Sequence, residues 1–263
     1  MKKYFVIGNP IEHSLSPKLH NFWIKKKKIN AKYFKKKLTL DKIENFINEI
    51  KKEEISGVNV TVPFKKSVIP FLDKLSFEAE KTQSVNTITF DQNKLVGHNT
   101  DIFGFKQAIQ KLNFKIEGKK VFILGAGGVV PSIIFALNKM DASIINLTNR
   151  TREKAEELKK QFGKINVLNW GEIPDFDLII NATSLGLKNE LINIDLSKVG
   201  QNKLFYDVIY NPNETNFLKQ AKNLGNLAEN GKLMFIYQAL AAFELWHGTK
   251  PDITEETFNL LNL

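Results

Sequence analysis

Lys119-Lys120-Val121-Phe122-Ile123-Leu124-Gly125-Ala126-Gly127-Gly128-Val129-Val130-Pro131 is the stretch that decides the fold. Lys119–Leu124 ends in a short apolar run of strand length, as expected of a buried strand. A glycine turn follows. Val129–Met140 then reads as a helix, with Pro131 tolerated in its first turn. Strand, glycine turn and helix in that order form the setting in which glycines cradle a dinucleotide. The first glycine allows the tight turn. The second lets the backbone approach a pyrophosphate, which sits on the positive end of the following helix. The third position of the pattern is Val130, where a small residue is usual, so helix and sheet are expected to pack slightly further apart.

Outward from this unit, strand and helix signals alternate along the whole chain, which indicates an α/β protein with largely parallel sheets. Strand-like runs precede it at Tyr4–Ile7, Ala31–Leu38, Gly57–Val62 and Val85–Phe90, with Leu95-Val96 as a short hairpin return. Helical patterns lie at Pro17–Lys28 and at Asp41–Lys52, with Asp41 as the expected N-cap. After the glycine turn come a strand at Ser143–Thr148, a helix at Thr151–Phe162, strands at Asp177–Asn181 and Leu204–Val208, and closing helices at Asn230–His247 and Thr254–Leu261. The expected organisation is an open, mainly parallel α/β substrate domain over residues 1–100, completed by 236–263. A Rossmann-like dinucleotide domain is expected over 101–235, with the active-site cleft between the two.

The 263 residues are 43% hydrophobic and 25% charged, the composition of a soluble globular protein long enough for two domains. There is no cysteine, which excludes disulfides, thiolate metal sites and a cysteine nucleophile, and fits a reducing cytoplasm. No apolar run reaches the roughly 20 residues of a membrane span. The four histidines show no metal-ligand spacing, so no metal is expected. A net charge of +10 raises the question of nucleic acid. The lysines argue against it, because they are dispersed among acidic residues and form neither a basic tail nor an aromatic-interleaved stripe.

Of the 38 Lys and Arg residues only two are arginine, and both lie in Arg150-Thr151-Arg152. A diffuse positive surface can use lysine anywhere, whereas gripping phosphate oxygens in pairs calls for the planar guanidinium. The tripeptide follows Gly128 by about 22 residues, where a dinucleotide fold reads the adenosine ribose. An NAD-selective site places Asp or Glu there, but this segment reads Leu147-Thr148-Asn149-Arg150-Thr151-Arg152. The expected cofactor is therefore NADP(H), whose 2′-phosphate a carboxylate would repel.

Four further segments carry candidate chemistry. His13-Ser14-Leu15-Ser16-Pro17 sets two hydroxyls before a helix, which a local cap also explains. Asn59-Val60-Thr61-Val62-Pro63-Phe64-Lys65 sets polar residues beyond a strand's carboxyl end, where α/β ligands bind. Asn99-Thr100-Asp101 precedes a helix that Asp101 would cap by default, and Gln238 lies on an apolar helix. In order and spacing these segments, with His20-Asn21, Val85-Asn86-Thr87, Gly97-His98-Asn99-Thr100-Asp101, Asn149-Arg150-Thr151, Asn181-Ala182-Thr183-Ser184, Asp207-Val208-Ile209-Tyr210-Asn211-Pro212 and Asn230-Gly231-Lys232-Leu233-Met234, resemble the shikimate dehydrogenase family over essentially the whole chain.

The resemblance implies NADP-dependent, reversible reduction of 3-dehydroshikimate to shikimate, on the route to chorismate and the aromatic amino acids. It implies a catalytic pair of Lys65 and Asp101, a substrate carboxylate held by Ser14 and Ser16, and ring hydroxyls held by Asn59, Thr61, Asn86 and Gln238 with Tyr210 nearby. The cofactor would meet Gly125, Ala126, Gly127, Gly128, Val129, Asn149, Arg150, Thr151, Arg152, Thr183, Ser184, Val208, Gly231 and Met234. The chain departs from the family pattern at Ile102, Val129, Val130 and Leu187, and has Lys154 where the family's second arginine usually lies. The partners implied are a small-molecule substrate and cofactor, with neither nucleic acid nor membrane, in a cytoplasmic monomer or homodimer. Competing readings are a quinate/shikimate enzyme of broader specificity, a methylenetetrahydrofolate dehydrogenase, and a non-catalytic NADP- or shikimate-binding regulator on the same scaffold.

Overall fold

The computed structural model describes residues 1–52 and 54–261. They fall into two compact units, one of Met1–Gly104 together with the stretch from Ile236, the other of Phe105–Phe235.

The first unit begins with β1 (Lys2–Gly8), α1 (Ser16–Lys26), β2 (Ala31–Lys37), α2 (Ile43–Lys51) and β3 (Gly57–Val60). It continues with β4 (Lys74–Leu75), α3 (Phe77–Thr82), β5 (Thr87–Asp91), β6 (Lys94–His98) and α4 (Asp101–Lys111), whose first turn belongs here. The described strands form one sheet in the order β2-β1-β3-β5-β6-β4. Three of its five pairings are parallel, β1 with β2, β1 with β3 and β4 with β6, while β3 runs antiparallel to β5, and β5 to β6, which makes the sheet mixed. The reason is local. Gln92 and Asn93 both hold positive φ, 47° and 62°, and close β5 onto β6 as a two-residue hairpin. α2 buries Ile43, Phe46, Ile47 and Ile50, the i, i+3, i+4, i+7 stripe of an amphipathic helix, against Val58, Ile88 and Leu95. Its start differs from the expectation. Leu40–Lys42 form a 3-10 turn with Thr39 at its N-cap, and Asp41 lies inside that turn.

The register of β3, β5 and β6 builds the site. Asn59 pairs with Thr87, and Thr87 with His98. The carboxyl ends of β3 and β6 therefore flank the start of β5, and Asn59, Asn86 and Asn99-Thr100-Asp101 converge at one edge of three adjacent strands.

The second unit contains β7 (Lys120–Leu124), α5 (Val130–Lys139), β8 (Ile144–Thr148), α6 (Arg152–Phe162), β9 (Asn166–Leu168), β10 (Leu178–Asn181), β11 (Leu204–Asp207), α7 (Asn216–Asn223) and β12 (Leu227–Glu229). Its sheet, in the order β12-β11-β10-β7-β8-β9, has parallel pairs throughout. Read from β9, this is the 3-2-1-4-5-6 order of the Rossmann fold, with the topological switch between β7 and β10. The strands are apolar on both faces because helices cover both, and Phe122, Ile179 and Phe205 are fully buried.

The last helices are α8 (Lys232–His247) and α9 (Glu255–Leu261). From Ile236 onward α8 packs in the first unit, where Trp246 donates its indole N–H to Ile88 O at 3.0 Å. A side chain at Gly57 would meet that indole at 2.3 Å, so a glycine is needed on β3.

Candidate active site

Lys65 and Asp101, the pair expected to be catalytic, are both buried. Lys65 Nζ donates to Asp101 Oδ2 at 2.5 Å, with side-chain exposures of only 11% and 8%. A buried pair of this kind requires further hydrogen bonds to offset its desolvation. Asn86 supplies one: its Nδ2 donates to Asp101 Oδ1 at 2.9 Å, to Thr100 Oγ1 at 2.9 Å and to Gln238 Oε1 at 3.4 Å. Its Oδ1 accepts from the Thr100 N–H at 2.7 Å.

Asp101 is not the cap of α4. Asn99 Oδ1 accepts the backbone N–H groups of Asp101 (3.1 Å) and Ile102 (3.4 Å), so the cap role falls to Asn99 and the Asp101 carboxylate is left for Lys65 and Asn86. Asn99 is fixed in turn by donating to Thr82 Oγ1 and Ser84 O.

Asn59 is buried and held by protein groups at both ends of its amide. It accepts from Tyr33 Oη–H at 2.7 Å and donates to Asn86 O and Thr87 Oγ1. Thr61, half-buried just beyond β3, is placed by its backbone N–H to Ile7 O. Ser14 and Ser16 lie together at the start of α1, where Ser14 Oγ accepts the Ser16 N–H at 3.3 Å and Ser16 is buried. The first unit thus holds Ser14, Ser16, Asn59, Thr61, Lys65, Asn86, Asp101 and Gln238. Tyr210 belongs to the second unit, stacked on Phe235 with ring centroids 4.4 Å apart.

In the second unit the glycine turn lies at the switch point. Gly125 has φ of +106°, and a Cβ there would meet Ala182 O at 2.9 Å, so both conformation and space call for glycine. A Cβ at Gly127 would meet nothing nearer than Ala182 O at 3.8 Å, which leaves the turn open to a close-approaching group. Asn149 braces the turn by accepting the Ala126 N–H at 3.1 Å and donating to Thr151 O at 2.7 Å. Val130, at the fingerprint's third glycine position, is fully buried in the first turn of α5.

The loop after β10 is tied down from below. Asn181 Oδ1 accepts the Thr183 N–H and hydroxyl, and its Nδ2 donates to Asp207, whose carboxylate also accepts from Thr215 and from the Ile209 N–H. Burial raises the Asp207 carboxyl above the usual carboxylate range, with these hydrogen bonds opposing the shift. Thr183 and Ser184 are therefore presented on a fixed loop beside Gly125. Gly231 packs on Val208, where any Cβ would strike the Val208 carbonyl at 2.2 Å, and Met234 is buried.

The two arginines have different surroundings. Arg152 donates to Asn169 Oδ1 at 2.7 Å and to Val167 O at 3.4 Å, and pairs with Glu156 at 3.1 Å. Arg150 is exposed and has no ion-pair partner among the described residues. With no carboxylate at the end of β8, an open glycine turn, the N-terminus of α5 and one unpaired guanidinium, this donor set fits a dinucleotide bearing a 2′-phosphate. Among the described residues no cluster of His, Asp and Glu is placed to hold a metal, and no helix is long and apolar enough to cross a membrane.

A Rossmann-ordered sheet with an open glycine turn, in one chain with a buried lysine–carboxylate pair ringed by amides, defines a nicotinamide-dependent oxidoreductase of α/β architecture. Known families agree. Residues 6–88 match the shikimate dehydrogenase substrate binding domain, 106–213 the shikimate / quinate 5-dehydrogenase family, and 233–255 the shikimate 5′-dehydrogenase C-terminal domain. The shikimate dehydrogenase (NADP(+)) of Pelagibacter ubique is 60% identical over 265 aligned residues, covering 100% of both chains. The crystal structure of shikimate dehydrogenase from Aquifex aeolicus has a TM-score of 0.91 at 34% identity, covering 99% of this chain and 96% of that one. Shikimate 5-dehydrogenase from Thermus thermophilus, solved in complex with NADP(H) and shikimate, has a TM-score of 0.89 at 29% identity, covering 99% and 97%. This chain belongs to the shikimate dehydrogenase family.

Proposed function

We propose that the protein is an NADP-dependent shikimate dehydrogenase, reversibly reducing 3-dehydroshikimate to shikimate in the cytoplasm, as a monomer or homodimer. The observation that carries this reading is the desolvated Lys65–Asp101 pair, 2.5 Å apart and oriented by Asn86 beside Gln238. The first unit serves as the substrate domain and the second as the cofactor domain.

Bound NADPH supplies the hydride that the carbonyl carbon receives. As that carbon is reduced, negative charge develops on its oxygen. The Lys65 ammonium, in a site largely closed to water, stabilises that charge and, with Asp101, supplies the proton that completes the hydroxyl. In the oxidative direction the same pair takes the proton back. Asn86 holds Asp101 so that its second oxygen stays on Lys65, and it offers an amide to a ring hydroxyl together with Thr61 and Gln238. Asn59, for which the resemblance implied a ring hydroxyl, has its amide engaged by Tyr33, Asn86 O and Thr87, and is assigned instead to supporting Asn86 from behind. Ser14 and Ser16 present hydroxyls to the substrate carboxylate. A site lined with paired donors and acceptors rejects analogues that lack a hydroxyl, because a buried group would then be left unpaired.

On the cofactor side, the glycine turn and the start of α5 receive the pyrophosphate. Arg150 and Thr151 meet the 2′-phosphate, with Asn149 bracing both segments. Thr183, Ser184, Val208, Gly231 and Met234 line the nicotinamide end.

The test is growth of the reduced-nicotinamide absorbance when purified protein is given shikimate and NADP⁺. Turnover that disappears in Lys65→Met is the expected result. A folded wild-type protein that leaves NADP⁺ unreduced would sink the reading.

A further inference from the structure

His20-Asn21 has no role in the chemistry above, and neither does Tyr33 on β2, yet all three are built into one arrangement that ends on Asp101. We infer that Tyr33, clamped by His20 and Asn21, is a positioning residue that orients Asn86 and the Lys65–Asp101 pair through Asn59 and Thr87. This inference rests on the functional reading above and extends it to side chains to which that reading gives no role.

The directions of the hydrogen bonds carry the argument. Asn59 Nδ2 lies 3.1 Å from Asn86 O, a carbonyl that can only accept. That contact fixes the amide, so Asn59 Oδ1 faces Tyr33 and the Tyr33 hydroxyl, 2.7 Å away, must donate. Thr87 Oγ1 accepts from Asn59 at 3.0 Å and donates onward to Asn86 Oδ1 at 3.2 Å. With its oxygen on that donor and on the Thr100 N–H, Asn86 must turn its NH₂ toward Asp101 and Gln238. Tyr33 and the Thr100 N–H thus enforce one consistent set of donor directions that ends on the catalytic carboxylate. Every member, from Tyr33 through Asn59, Thr87 and Asn86 to Asp101, is buried, so these hydrogen bonds lie in a setting of low dielectric where each is stronger than in water.

Tyr33 itself is held from two sides. The Asn21 side chain donates to Tyr33 O at 2.8 Å and accepts the Tyr33 N–H at 2.9 Å, taking the place of a neighbouring strand along the outer edge of β2. The His20 ring lies flat on the Tyr33 ring, centroids 4.3 Å apart and planes 4° apart. Neither His20 nitrogen has a hydrogen-bond partner among the described residues, so what this side chain gives Tyr33 is the stacked face. The dipeptide therefore fixes both the backbone and the ring of the residue that starts the relay.

Tyr33→Phe removes the hydroxyl and keeps the stack. The expected result is a fall of about tenfold in kcat/KM for shikimate, the scale of one buried donor lost, with the KM for NADP⁺ unchanged. In an Asn86→Ala background the route is already cut, so Tyr33→Phe should then cost less than about twofold, a non-additivity a general loss of stability does not produce. Asn21→Ala, which releases the Tyr33 backbone, should show the same selective loss at smaller size and serves where Tyr33→Phe does not fold. An unchanged kcat/KM in Tyr33→Phe, or an equal loss in both backgrounds, overturns the inference. A second readout needs no turnover. The side-chain amide ¹H–¹⁵N signal of Asn86 should shift in Tyr33→Phe, and an unmoved signal overturns the relay even in a protein without shikimate activity. A wild-type protein lacking that activity overturns the functional reading alone.

Discussion

Arg150 and Arg152 are two residues apart, yet the structure predicts opposite outcomes when each becomes glutamine. Arg152 is engaged by Asn169, Val167 and Glu156 on the surface of α6, whereas Arg150 has no ion-pair partner among the described residues. A charge-assisted hydrogen bond contributes about 1.5–3 kcal/mol, and 1.36 kcal/mol is tenfold, so losing the contact to a 2′-phosphate should cost roughly 10- to 100-fold. Arg150→Gln is therefore expected to lower kcat/KM for NADP⁺ by that factor and leave the NAD⁺ value nearly unchanged. Arg152→Gln breaks a half-exposed pair worth about 1 kcal/mol or less to stability and should leave the NADP⁺/NAD⁺ ratio within about threefold. The assay is steady-state kinetics with each cofactor at saturating shikimate, for wild type and both variants. If Arg150→Gln keeps the wild-type ratio, or Arg152→Gln loses more of it, the reasoning from the two environments is refuted.

Lys65→Met should lower kcat by about 100- to 10,000-fold, the range of a lost acid–base group, and should also lower stability because Asp101 is left buried without its cation; single-turnover absorbance and a thermal melt read the two effects. Asn99→Ala removes the cap of α4 and should cost about 1–2 kcal/mol in urea unfolding, a loss that an unshifted midpoint would contradict. Burial lowers His20 to about 3, helped by repulsion from His247, and burial together with Lys2 lowers His247 to about 4. Both are neutral in the fold but protonate in the unfolded chain near 6.5. Their contribution is thus fully present above pH 6.5 and is lost as pH falls toward 3 to 4, for His20 at about 1.4 kcal/mol per pH unit. Denaturation midpoints between pH 7 and 4 should fall less steeply in His20→Gln than in wild type, and parallel slopes would rule the histidine out as a source.

The glycine turn between an apolar strand and a helix was legible because every residue there answers a local demand. Gly125 needs positive φ, and Val121–Leu124 need burial on both faces. The same holds for the apolar stripe of α2. What was not legible is what depends on partners distant in sequence. Lys65 and Asp101 are 36 positions apart, and only the register of β3, β5 and β6 brings them together. The hairpin return at Leu95-Val96 was expected, but not its turn, because Gln92-Asn93 lacks the glycine usual there. Asp101 satisfies the local rule for a cap, and the rule fails there because Asn99, two residues earlier, has the geometry and Asp101 has a more demanding partner. The short elements β4, β9 and β12 carry too few residues to show a period. Arg150 and Arg152 look alike in sequence apart from Glu156, four residues beyond Arg152, and the contacts of Arg152 with Val167 and Asn169, 15 and 17 residues on, complete the difference.

The most direct measurement of the central claim supplies the wild-type protein with 3-dehydroshikimate and either NADPH or NADH, follows the loss of reduced-nicotinamide absorbance, and identifies the product by chromatography. The account predicts rapid loss with NADPH, shikimate formed mole for mole, and a much slower reaction with NADH. Absence of shikimate with either cofactor would contradict the proposed reaction, and equal rates with both would contradict the assignment of the 2′-phosphate to Arg150.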